Sequence, residues 1–181
     1  MLEEDTILLV IDLQERLISA INNNSLTIKN IEKLVASANI LGISIIFSEQ
    51  NPDKLGKTIK SVLGDKFTKT YNKMSFSCSG NEELLEEIKS EKKKNIVIAG
   101  IESHVCVQQS CLDLIDQGYR TYVIADATNS RNPIDHEIAL RRLESNGACI
   151  TTAESAIFEW CKTADRKEFK AISKLIKEPI N

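Results

Sequence analysis

Short runs that are apolar along their whole length leave this chain few folds. Thr6–Ile11 (TILLVI) is β-branched, of strand length and without alternation, so a strand there must be covered on both faces. Between such runs the pattern turns helical. Leu26–Leu41 carries apolar residues at 28, 31, 34, 35, 38 and 41, and Gly42 follows as a stop before Ile43–Phe47 (ISIIF), a second strand. Further strands are predicted at Phe67–Tyr71, the weakest of them, at Asn95–Ala99 (NIVIA), at Tyr119–Ala125 and at Ala148–Thr151. Helices are predicted from about His104 to Gln117, near Ile134–Asn146, and at Ala153–Trp160 and Arg166–Lys177. Glu82–Lys89 sets Leu84, Leu85 and Ile88 among acids and ends in Glu91-Lys92-Lys93-Lys94, most simply a solvated turn.

Apolar strands alternating with helices define an α/β class: a parallel sheet with helices on both faces, joined by right-handed crossovers. With 181 residues, 42% of them hydrophobic, the chain can bury one core, and no composition break divides it, so 1–181 is read as a single domain. A net charge of −3 speaks against nucleic acid as a partner, and the basic stretches Lys92–Lys94 and Lys162–Lys177 are short or interrupted by acids. The start, Met1-Leu2-Glu3-Glu4-Asp5, is acidic where a signal peptide is basic, and no apolar run reaches membrane-spanning length. Cys78, Cys106, Cys111, Cys149 and Cys161 are an odd set with no CxxC pair, which fits a reducing cytoplasm better than a zinc site or a disulfide framework.

In open α/β sheets, ligands bind beyond the carboxyl ends of the strands, where strand order reverses. The residues after each predicted strand are therefore the candidates: Asp12 and Gln14; Ser48-Glu49-Gln50-Asn51-Pro52; Asn72-Lys73; Gly100-Ile101-Glu102-Ser103-His104-Val105-Cys106; and Asp126 with Asn129-Ser130-Arg131. An acid, a lysine and a thiol fall at one end of the sheet. Each has a plainer reading as well: Asp12 with Glu15 fits a helix capping box, Lys73 a surface lysine, and Cys106 a small buried hydrophobe, the role given to the other four cysteines. Cys106 lies in the first turn of a helix, where amides and dipole lower a thiol's pKa and can hold an oxyanion. His104 does not face Cys106 at i, i+2 and is expected to shape the pocket or pack; His136 is expected to be structural, at an exposed helix start.

Ile11-Asp12-Leu13-Gln14, Asn72-Lys73 leading into Met74-Ser75-Phe76-Ser77, and Gly100–Val107 together resemble the isochorismatase-like cysteine hydrolases. Asp126–Arg131, Ala139–Leu143 and Gly147–Ser155 extend the likeness over nearly the whole chain, and the ending Phe169–Lys177 is similar to the isochorismatase domain-containing subgroup. The resemblance implies a three-layer Rossmann-like fold with a six-stranded parallel sheet in order 3-2-1-4-5-6. It implies Cys106 as nucleophile, Asp12 as general base and later acid, and Lys73 as electrostatic partner. An oxyanion hole would come from the N–H groups of Glu102 and Cys106, after a cis Ile101–Glu102 bond. Gln14, Glu49, Gln50, Phe76 and Ser103 would line the substrate site, although Glu49 and Gln50 also fit a loop turn before Pro52.

The implied reaction cleaves the C–N bond of a small carboxamide through a thioester, with water as second substrate. The nicotinamidase branch of that family holds a metal through Asp and His residues after the second strand; Ser48–Asp53 contains no histidine, so no metal or other cofactor is expected. The alternatives are vinyl-ether hydrolysis of the isochorismate type, with Asp12 as acid and Cys106 dispensable, or a silent interaction protein. A homo-oligomer is expected, because relatives form dimers or larger rings.

Overall fold

Odd- and even-numbered residues of the first strand bury into two different cores, which is why that strand shows no polar alternation. In the computed structural model, which describes residues 1–63 and 69–178, β1 (Thr6–Ile11) sends Leu8 and Val10 to one face and Ile7, Leu9 and Ile11 to the other. β1 lies between β2 (Ser44–Gln50) and β4 (Asn95–Ile101); β3 (Thr70–Lys73) borders β2, and β5 (Arg120–Asn129) and β6 (Cys149–Thr151) follow β4. The sheet is six-stranded and parallel, in order 3-2-1-4-5-6.

Helices cover both faces. After the short α1 (Glu15–Ile18), α2 (Asn24–Leu41) packs on the Leu8/Val10 face. The single turns α3 (Pro52–Leu55) and α4 (Lys60–Leu63) follow β2, and α5 (Glu82–Ser90), α6 (Gln108–Asp116) and α7 (Pro133–Ser145) cover the Ile7/Leu9 face. The chain closes with α8 (Ala153–Cys161) and α9 (Phe169–Lys177), packed beside α2. Among the described residues no helix is long and apolar enough to cross a membrane.

Several elements differ from expectation in ways that matter for the site. β2 runs three residues past Phe47, so Ser48, Glu49 and Gln50 are buried strand residues and not a loop turn; the turn itself is Asn51, in the left-handed region at φ 38°. The third strand begins at Thr70; its expected start at Phe67 lies outside the described residues. Glu82–Ser90 is a helix, started by the Asn81 side chain accepting from Leu84 N–H and burying Leu84 and Ile88, so the turn shrinks to Glu91 and Lys92. β5 extends through Asn129 because its register jumps: Ile98 pairs with Val123, but Gly100 pairs with Thr128. In the last helix Arg166–Glu168 stay outside, with the Arg166 guanidinium holding Glu3, Glu168 and the Trp160 carbonyl.

Candidate active site

Gly100 sets the distance between the two central strands. It pairs with Ile11 and has φ +120°, and a Cβ built there would fall inside the van der Waals surface of the Ile11 carbonyl oxygen. Only glycine lets β1 and β4 close this tightly at their carboxyl ends. The next residue of β1, Asp12, is thereby brought beside the turn that follows β4. Asp12 itself is left-handed at φ 50°, an uncommon conformation that aspartate tolerates better than most residues and that tends to occur at functional positions.

The Asp12 carboxylate is wholly buried and caps no helix. Its Oδ1 accepts from Ser48 Oγ at 2.7 Å and its Oδ2 from Lys73 Nζ at 2.7 Å. Lys73 is no surface lysine either: at 3% exposure, its ammonium also meets Gln50 Oε1 at 2.8 Å and the carbonyls of Phe76 at 2.9 Å and Ser75 at 3.3 Å. Burial pulls this lysine's pKa down, but the charge of Asp12 and the nearby thiols outweigh it, and the net direction is up. Lys73 is therefore a cation at neutral pH. Losing one member of such a pair would strand the other charge in the interior.

Cys106 lies in a single π-helical turn, Ser103–Val107, that runs into α6. π-turns are rare and are enriched at functional sites. The Ile101–Glu102 peptide bond before this turn is cis. The thiol is 5% exposed and lies within the electrostatic reach of Asp12 and Lys73. Contrary to the expectation from a helix start alone, its pKa is pushed up, first by burial and then by the charge of Asp12, with Lys73 pulling in the opposite sense. Burial and the neighbouring carboxylate therefore keep the resting group a thiol.

The remaining candidates divide by what their polar atoms do. Gln14 is used up on main chain: its amide nitrogen donates to the carbonyls of Gln50 (3.0 Å) and Gly56 (2.7 Å), and its oxygen accepts from Gln50 N–H (2.7 Å). Glu49 accepts from the Thr58 N–H and hydroxyl through Oε1 and from Lys57 Nζ through Oε2. Gln50 bridges Lys73 and the Met74 carbonyl. These three are braces, and of them only Gln50 touches Lys73. Phe76 is 53% exposed and brings its carbonyl, not its ring, to Lys73. Ser103 is buried with its hydroxyl against His136 Nδ1 at 2.8 Å, so His136 is half-buried and engaged where an exposed helix start was expected. His104 pairs with Ser130 Oγ at 2.9 Å. Glu102 receives the Arg131 main-chain N–H and Nε at 2.9 and 3.0 Å.

Sequence reasoning passed over the strap that encloses Lys73. Ser77 Oγ donates to Asp113 Oδ2 at 2.5 Å, and Cys78 N–H donates to Ser110 Oγ at 2.8 Å. These bonds tie residues 75–78 to α6 and press two carbonyls onto the ammonium. A serine-rich stretch directly after a lysine was the available signal. Among the described residues no group of three or more His, Cys, Asp or Glu is disposed to hold a metal, and Glu49, the acid near the end of β2, is engaged by Thr58 and Lys57. A groove of about 550 Å³ runs along α9, lined by Phe169, Lys170 and Lys174 among others, on the far face from α6. The buried titratable groups converge elsewhere, where Asp12, Lys73 and Cys106 meet, and such convergence marks the candidate site.

An acid after β1, a lysine at the end of β3 and a thiol after β4, gathered where strand order reverses, define a class: doubly wound α/β proteins with a polar site at the switch point. The family model of the isochorismatase domain matches residues 6–155, and the chain belongs to the isochorismatase family of hydrolases. It is similar to the secreted isochorismatase effector Isc1 of Phytophthora sojae, at 34% identity over 99% of this chain and 88% of that protein. It is likewise similar to isochorismatase domain-containing protein 2 of Xenopus laevis, at 34% over 98% and 86%. A solved structure described as the MAR1 ribonuclease of Caenorhabditis elegans superposes with a TM-score of 0.93 at 32% identity, covering 100% of this chain and 94% of that one.

Proposed function

We propose that this protein hydrolyses the C–N bond of a small carboxamide through a thioester on Cys106. The observation that supports this most is the buried Cys106 thiol set against the charge of a carboxylate that Lys73 keeps paired at 2.7 Å. Asp12 takes the thiol proton as sulfur attacks the amide carbon. The tetrahedral oxyanion lies against the N–H groups of Glu102 and Cys106, and one such donor is worth about 2.7–4 kcal/mol. The proton on Asp12 passes to the departing nitrogen, the C–N bond breaks, and ammonia or amine leaves. Water then gives a proton to Asp12 and attacks the thioester, which releases the acid and restores the thiol. Lys73 offsets the charge of Asp12 before and after each transfer.

The depth of the three reacting groups favours a small molecule over a polynucleotide, which would need basic surface that a chain of net charge −3 does not supply in excess. Five free thiols suit a reducing cytoplasm. Exposed Ile134 and Ile138 on one side of α7 suit a homo-oligomer. The test is ammonia release from a panel of small primary amides, with the acyl-enzyme sought as a mass increment on the Cys106 peptide. Cys106→Ala is expected to lose at least a thousandfold in kcat/KM. Hydrolysis that survives this substitution would move the reading to Asp12-catalysed ether cleavage.

A further inference from the structure

Three consecutive residues ahead of Cys106 spend their side chains on one other segment. Glu102 Oε2 accepts from the Arg131 main-chain N–H and Nε at 2.9 and 3.0 Å, the Ser103 hydroxyl meets His136 Nδ1 at 2.8 Å, and His104 Nδ1 meets Ser130 Oγ at 2.9 Å. All of these partners lie in residues 130–136, the connection from β5 into the first turn of α7, which the chemistry above does not use. We propose that this connection is a positioning clamp for the nucleophile turn, with Ser103 and His136 as its buried pair, and that it holds the N–H groups of Glu102 and Cys106 where an amide oxyanion forms. The inference rests on the reading of those N–H groups as the oxyanion donors for attack by Cys106.

The clamp begins in strand pairing. Ile101 at the end of β4 pairs with Asn129 at the end of β5, so the chain leaves both strands side by side and residues 102–104 meet residues 130–136. The connection is itself anchored. Asn129 Oδ1 accepts from Ser130 N–H at 2.8 Å, Asn129 Nδ2 donates to Thr27 Oγ1 of α2 at 3.1 Å, and Asn132 Nδ2 donates to Asp135 Oδ2 at 2.9 Å. Asp135 Oδ2 also stands 3.9 Å from His104 Nε2, so both ring nitrogens of that histidine face the connection. Within the turn, the Glu102 carbonyl accepts from Val105 and Val107 N–H at 3.1 and 3.2 Å, so whatever fixes Glu102 fixes the turn.

The contacts differ in what they contribute. The Arg131 side chain is largely exposed, and water competes for its pairing with Glu102. Ser103 is wholly buried, and loss of the imidazole would leave its hydroxyl without that partner in the interior. Burial also lowers the pKa of His136, so at neutral pH this contact joins two uncharged groups, and an asparagine amide can stand in for the ring nitrogen. Successive residues of the turn point in different directions, so contacts from three of them fix its rotation as well as its position. Oxyanion donors need that kind of prior arrangement, since they act only where charge develops.

The experiment is hydrogen exchange of the amides in residues 101–107, read by mass spectrometry, alongside kcat and KM for ammonia release from a small primary amide. In Ser103→Ala and in His136→Ala, exchange in this peptide is expected to quicken about tenfold and kcat to fall about tenfold, the equivalent of one lost hydrogen bond, with KM within about twofold. Exchange in the strap at residues 75–78 stays at the wild-type rate. The double variant loses no more than either single one, because both remove the same contact, and His136→Asn returns both readings toward wild type. Arg131→Gln, a change at an exposed side chain, gives the same signature at smaller size and keeps the test open should a buried variant fail to fold. Wild-type exchange at 101–107 in both alanine variants overturns the clamp. So does faster exchange spread over the whole chain, or a lower kcat without faster exchange at the turn. If the wild-type protein releases no ammonia, the hydrolase reading fails, while the exchange comparison still decides the clamp.

Discussion

The charge on Asp12 acts on Cys106 in two opposed ways, and one substitution separates them. As a negative neighbour it disfavours the thiolate; in the proposed mechanism it is also the base that receives the thiol proton. Asp12→Asn keeps the shape and removes both effects. Burial then still holds the Cys106 pKa up, Lys73 still lowers it, and the upward push of Asp12 is gone. Cys106 should accordingly label faster with iodoacetamide at neutral pH while amide hydrolysis falls by at least a hundredfold, the low end of what a positioned proton acceptor contributes. Parallel loss of labelling and turnover would mean that Asp12 acts by lowering the thiol pKa and not by moving its proton.

At the scale of elements, the junction of β1 and β4 makes the site possible, and glycine chemistry makes the junction. Gly118 offers a control: it also has positive φ, +89°, but nothing stands within 4 Å of a Cβ there. Gly118→Ala should cost about 1–2 kcal/mol, the left-handed penalty alone. Gly100→Ala should cost roughly 3 kcal/mol or more, since the Ile11 carbonyl must also move. Guanidinium unfolding of the two variants measures the difference, and equal costs would show that β1 and β4 can part without penalty.

The apolar strand interiors and the helical periods between them were legible in the sequence, because both faces of the sheet are covered and hydrophobicity reports that directly. The strand ends were not legible. Ser48-Glu49-Gln50 looks like loop because polar side chains seldom fill a central strand; they do so here because Asp12, Thr58 and Lys73 satisfy them. Asp126 likewise sits inside β5, accepting from Ala153 N–H at 2.8 Å across a register break that no local pattern announces. Asp12, Lys73 and Cys106 could be picked by their place after strands, whereas the strap that cages Lys73 depends on contacts with α6 that only the folded chain creates.

For the whole molecule, the buried thiols set how the fold responds to alkali. Burial pushes Cys78 and Cys111 from 9.0 up to about 11, and burial with the charge of Asp12 moves Cys106 upward as well. An unfolded chain releases these protons near pH 9 while the folded one retains them. The folded state then binds more protons, and stability must fall as pH rises. Lys73 works in the same sense, because its raised pKa means that a stabilising charge, fully present below 10.5, is lost only at higher pH. Stability is therefore expected to be level from neutral pH to about pH 8 and to drop between pH 9 and 11, by on the order of 2–3 kcal/mol for each fully retained thiol proton. Urea melts of the reduced protein across this range measure the slope. Cys111→Ala lies within α6, away from Asp12, and carries one of the shifts with little else, its thiol donating to Thr121 Oγ1 at 3.3 Å. That variant should start slightly less stable at neutral pH and lose stability less steeply above pH 9. An unchanged slope would place the alkaline loss on other groups and leave Cys111 titrating as it does in the unfolded chain.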